Sequence, residues 1–146
     1  MSHWSRLTSI AVQLADKRVL LCRKTLTDSH YVPWALTIER PIEEGKDALD
    51  MVNKLSWEKL GIDTANYDDS FVEIKRLSPI KIAPCMVINL FVVLLKTAFT
   101  FQAKRYEQFI AIPWSIALKD IKQNTAKYTK TTIKVAKELH KKGVFD

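Results

Sequence analysis

The amino-acid sequence predicts a single α/β (α+β) domain over residues 1–146, with strand-rich halves around one central helix and a helical C-terminus. Three observations predict it. Apolar runs of strand length recur on both sides of the middle of the chain. Residues 46–60 instead carry Ala48, Met51, Val52 and Leu55 near a 3.6-residue period, followed by Gly61, a residue that commonly closes a helix. The 146 residues, 47% hydrophobic and 27% charged, suit one ordinary core and exclude disorder for the chain as a whole.

Taken in order, residues 5–14 and 17–23 are β-rich runs split by Ala15 and Asp16, which predicts a strand pair with a tight turn. The helix over 46–60 follows. Residues 71–77, 84–96 and 108–114 read as strands, and 115–122 and 126–142 as helices. The longest apolar run, Met86–Leu95, is ten residues long with Asn89 inside it. A membrane helix needs about 20, so a buried central strand is the expectation. With only three glycines and five prolines, connections should be short or polar, the loosest being 25–32 and 62–70.

The net charge of +7 is concentrated at the end of the chain. Between Lys119 and Lys142, the lysines Lys119, Lys122, Lys127, Lys130, Lys134, Lys137, Lys141 and Lys142 are opposed only by Asp120 and Glu138. Within a helix over 126–142, Lys127, Lys130, Lys134, Lys137 and Lys141 fall at three- and four-residue intervals and form one stripe. Tyr128, Thr132, Val135, Ala136 and Leu139 form the neighbouring face that should pack on the sheet. The plain expectation for such a stripe is a solvated face. The functional one is a surface that follows RNA phosphates, because clustered ammonium groups release condensed counterions.

Other residue types bear on function mainly by their arrangement. Cys22 and Cys85 lie in apolar strand sequence without Cys or His at ligand spacing, so they are expected as buried thiols of a reducing compartment. His3, His30 and His140 are scattered, and no catalytic triad, phosphate loop or zinc pattern occurs. Trp34, Trp57 and Trp114 are expected in the core, with base stacking as the alternative. The N-terminal sequence lacks an apolar signal core, so the expected location is the cytoplasm or an organellar matrix such as the mitochondrial one, with no membrane partner.

Residues 40–62 carry a more specific signal. Read back from Gly61 and Ile62, they have the spacing of the Nudix box: Gly, five residues, Glu, seven residues, Arg-Glu, an apolar residue, any residue, Glu-Glu, any residue, Gly and an apolar residue. Trp34-Ala35-Leu36 ahead of the box and Glu43-Glu44-Gly45 just before the helix add to the resemblance. The chain therefore resembles the Nudix superfamily over nearly its whole length. The resemblance implies an α/β/α sandwich with a mixed sheet, a central Nudix-type helix and a C-terminal helix. It also implies a diphosphate-binding helix whose glutamates hold magnesium or manganese.

The box has lost most of that charge. Arg40 replaces the first glycine, Lys46 the first glutamate, Lys54 and Leu55 the Arg-Glu pair, and Glu58-Lys59 the Glu-Glu pair. At an effective dielectric near 20, an ammonium about 4 Å from a divalent ion opposes it by about 8 kcal/mol. The expectation is a binding or scaffold domain with no cofactor and little or no catalysis, in an RNA-containing assembly such as a ribosome. The box followed by Ala83-Pro84-Cys85 and a long strand through Phe91 also resembles the Nudix-type proteins of the mitochondrial large ribosomal subunit.

The alternative is a divergent metal-dependent hydrolase of nucleoside diphosphate-linked substrates. It would hold magnesium or manganese on Glu58 with help from Glu43 or Glu44. A nucleotide bound without cleavage is a third possibility, with Lys46, Lys54 and Lys59 as phosphate counter-charges in place of metal.

Overall fold

The computed structural model describes residues 5–24, 32–64, 71–98 and 107–145. Its centre is a parallel pair formed by β1 (Ser5–Gln13) and β6 (Met86–Leu95), in register from Ser5 opposite Met86 to Gln13 opposite Leu94. On the far edge of β6 lies β4 (Val72–Arg76), antiparallel, with β5 (Ile80–Ala83) also pairing to β6. On the far edge of β1 lie β3 (Thr37–Pro41) and, at the end of the strand, β2 (Arg18–Lys24). β7 (Glu107–Pro113) completes the sheet along β2. One parallel pair among antiparallel neighbours makes the sheet mixed.

Both faces of this sheet are covered, which explains why Met86–Leu95 reads as a continuous apolar run. Side chains alternate across the strand. Phe91, Val93 and Leu95 pack with Ile10, Val12 and Leu20 beneath Val52 and Leu55 of α1 (Ala48–Leu60). Ile88, Leu90 and Val92 pack on the other side with Ala117 and Ile121 of α2 (Trp114–Gln123) and with Val135, Ala136 and Leu139 of α3 (Lys130–Lys141). The architecture is an α/β/α sandwich.

α1 starts and stops where its local chemistry requires. Asp47 caps the first turn by accepting the Asp50 amide at 2.9 Å, and Asp50 returns the bond to the Asp47 amide at 3.3 Å. At the other end Gly61, with φ of 72°, donates its amide to the Trp57 carbonyl at 3.1 Å. The Thr8 hydroxyl donates to the Ala48 carbonyl at 3.1 Å, tying the start of the helix to the central strand.

Several expectations need correction. β3 and β5 were not predicted: each is four or five residues long, bounded by proline, and too short to show a period. Cys85 is not inside a strand. With Pro84 it forms the β5–β6 turn, where its φ is 69° and Ala83 pairs with Met86. Trp114 opens α2 rather than ending β7, and it meets the ring of Phe145 edge-on at 5.1 Å.

The last predicted helix is broken. Thr125–Lys127 is a 3-10 turn, Tyr128 is extended, and α3 begins only at Lys130 behind a Thr129 cap. The break comes from pairing that the sequence pattern hides, since Trp34 bridges Tyr128 and the Thr129 amide donates to the Trp34 carbonyl. The expected loops at 25–32 and 62–70 fall largely on 25–31 and 65–70, outside the described residues.

Candidate functional site

Arg40, Glu43, Lys46, Lys54 and Glu58, from the segment that resembles the Nudix box, converge at the junction of β3 and α1. Arg40, opposite Thr8 in the β3–β1 register, points its guanidinium at the Glu58 carboxylate and also reaches Glu43 at 3.3 Å. The Glu43 carboxylate lies in the turn between β3 and α1 and takes a second cation, Lys54, and a third, Lys46 at 3.7 Å. Glu44, in the same turn, is exposed. Three cations thus face two carboxylates in one half-exposed network.

Hydrogen bonding from Lys54, with the charges of Lys54, Lys46 and Arg40, holds the Glu43 carboxyl below its ordinary value against a smaller opposing effect of burial. The remaining box positions contribute no acid. Leu55, at the second position of the Arg-Glu pair, is fully buried in the core beneath the helix. Lys59 faces Glu107 of β7 at 3.9 Å. Among the described residues no group of three or more His, Cys, Asp or Glu side chains is placed to hold a metal ion. The donors around Glu58 and Glu43 are themselves cationic and do not fit a hard divalent ion.

Beyond Lys59 a cavity of about 250 Å³ opens between β2, β3 and β7. Cys22, Glu39, Lys59 and Glu107 line it. Burial first, and then the charges of Glu107 and Glu39, push the Cys22 thiol up to about 12, although Lys59 pulls it the other way. The Glu39 carboxyl is raised by desolvation, against a hydrogen bond from Thr37. One oxygen of Glu107 is buried without a hydrogen-bond partner among the described residues. Glu39 and Glu107 escaped the sequence reading because 68 positions separate them and neither belongs to a motif; the β2–β7 and β2–β3 contacts bring them together.

The tryptophans divide. Trp114 is core, Trp34 is half-buried with the Arg23 guanidinium 4.4 Å above its ring, and Trp57 is 60% exposed on α1, contrary to the core expectation. The basic stripe is only partly regular. Lys130, Lys134, Lys137 and Lys141 are exposed on α3, whose other face carries Thr132, Val135, Ala136 and Leu139 into the core. Lys127 is exposed too, but on the preceding 3-10 turn and so off the helix stripe. Lys134 reaches across to the Ile82 carbonyl of β5.

No protein-family model matches the chain, and no curated protein matches it in sequence. Solved structures do match. DR0079 from Deinococcus radiodurans superposes with a TM-score of 0.70 at 9% identity, over 93% of this chain and 84% of its own. A MutT from work on Aliivibrio salmonicida and Vibrio cholerae superposes with a TM-score of 0.61 at 12% identity, over 92% and 94%. Tm1382, assigned as a Nudix hydrolase, gives 0.66 at 16% identity over 93% and 70%. The fold is Nudix-like. At these identities the likeness concerns architecture alone.

Proposed function

We propose that this Nudix-like domain is catalytically retired and serves as a binding component of an RNA-containing assembly, such as a ribosome, in the cytoplasm or the mitochondrial matrix. One observation carries the reading. The surviving carboxylates, Glu58 and Glu43, are bound by Arg40, Lys54 and Lys46, so side-chain cations take the electrostatic place that divalent ions would need. A metal entering there must break those pairs and then sit beside the displaced cations. The exposed lysines of α3 supply the second half of the proposal, a face suited to RNA phosphates.

A hydrolase acting on nucleoside diphosphate-linked substrates is the second reading. It is favoured by the acids Glu39 and Glu107 lining the cavity next to Lys59, and by a MutT among the structures of the same fold. Turnover separates the two. Nucleotide-sugar, dinucleotide and capped substrates are incubated with magnesium or manganese and products are resolved by chromatography. The proposal expects no turnover above a heat-treated control. Hydrolysis that Glu58→Gln abolishes would establish the hydrolase instead.

A further inference from the structure

Among the described residues α1 leaves one end of the sheet uncovered, and the side chains there form a cleft that shares only Lys46 with the box network. On β1, Arg6 shares the α1 face with Thr8, whose hydroxyl meets Ala48. On β6, Val87 and Asn89 share that face with Phe91. On β4, Arg76 shares it with Val72 and lays its guanidinium 5.3 Å from the Phe91 ring centroid. The helix begins only at Ala48, so these residues floor an open cavity of about 690 Å³ beyond its first turn, with Lys46 at the rim.

We propose that this cleft binds a small organic phosphate. Arg6, Arg76 and Lys46 come from three separate elements and converge on one concavity. Asp47, the acid beside them, is turned into the capping box, where its carboxylate accepts the Asp50 amide. The α1 amide is thereby occupied, and recognition falls on the side chains. Two guanidinium groups and an ammonium match the oxygens of a phosphate monoester, the guanidinium forks in pairs. Asn89 lines the cleft as well, its side-chain amide donating to the Leu7 carbonyl at 3.4 Å.

Ile42 and Val87 form an apolar shelf next to the cations. That pairing suits a compact body carrying one phosphate, whereas an RNA strand is followed by an extended basic groove with aromatic side chains on which bases stack. The volume lies within the range of small-molecule sites. The inference does not require the box helix to be retired, because its two guanidinium groups, Arg6 and Arg76, lie outside the box network and only Lys46 is shared with Glu43.

Calorimetry with phenyl phosphate as the probe, in EDTA, tests it. Saturable one-site binding is expected, tighter than for inorganic phosphate, and weakened about tenfold or more by Arg6→Gln and by Arg76→Gln. Lys17→Gln, in the β1–β2 turn at the opposite end of β1 from Arg6, should leave it unchanged. Amide spectra matching the wild type would show that the variants are folded. The proposal is overturned if phenyl phosphate produces neither heat nor amide shifts at millimolar concentration. It is equally overturned if phenyl phosphate binds and neither Arg6→Gln nor Arg76→Gln weakens it. A uridine decamer that binds through Arg6 and Arg76 when phenyl phosphate does not would assign the cleft to RNA and refute the small-ligand proposal.

Discussion

Glu39 shows what a single carboxyl contributes at the edge of this site. Its pKa is raised, chiefly by desolvation, so the folded state favours the neutral acid. A raised acid is most favourable to folding when protonated. That contribution is lost as pH rises from the ordinary value of 4.5 through the raised folded one, leaving an ionised group that costs stability at neutrality. Glu39→Gln should therefore stabilise the protein by a few tenths of a kcal/mol at pH 7, the side chain being partly solvated. Urea unfolding should show the gap between variant and wild type shrinking as pH falls toward 4. A gap that grows on acidification would contradict the assignment. Glu43 behaves oppositely, its carboxyl held low by Lys54 first, so its contribution disappears on acidification. None of this is visible in the one-letter sequence, where Glu39 and Glu43 are neighbours of the same charge.

At the scale of elements, α1 is the piece whose C-terminal end the sequence carries, whereas its start, at Ala48 behind the Asp47 cap, falls two residues after the expected one. The apolar spacing from Ala48 to Leu55 matches the buried face, and Gly61 has the left-handed backbone that its position implies. Nothing lies within 4 Å of a methyl group added at Gly61, so Gly61→Ala tests backbone strain alone. It should cost about 1 kcal/mol, read from a lowered thermal midpoint. An unchanged midpoint would mean that the helix end rearranges freely. The long strands were legible because burial on two faces leaves a continuous apolar run. β3 was not, because its Glu39 and Arg40 serve the site rather than the core, and nor was the break before α3. There the amphipathic spacing of Tyr128 and Thr132 imitates a helix, while Tyr128 is in fact held by Trp34 and by a hydrogen bond to Asp120.

Over the whole molecule, the sandwich separates two electrostatic surfaces, the ion-paired junction of β3 with α1 on one face and the α3 lysines on the other. The Nudix-like architecture was legible from strand order and box spacing. The pairing of Glu58 with Arg40 was not, because Arg40 lies on an unpredicted strand. If α3 follows RNA, binding to a uridine-rich single strand should weaken steeply with salt. Each lysine–phosphate contact adds about 0.7 to the slope of log affinity against log salt. Lys130→Gln, Lys137→Gln and Lys141→Gln combined should flatten that slope by about 2. Equal slopes for both proteins, by fluorescence anisotropy, would remove α3 from the interface. That cations of the chain itself occupy the Glu58 and Glu43 carboxylates in place of metal is tested most directly by titrating manganese into the protein and counting bound ions by electron paramagnetic resonance. No stoichiometric occupancy is expected at micromolar manganese, and the same result for Glu58→Gln. One tightly held ion per chain, lost in Glu58→Gln, would contradict it.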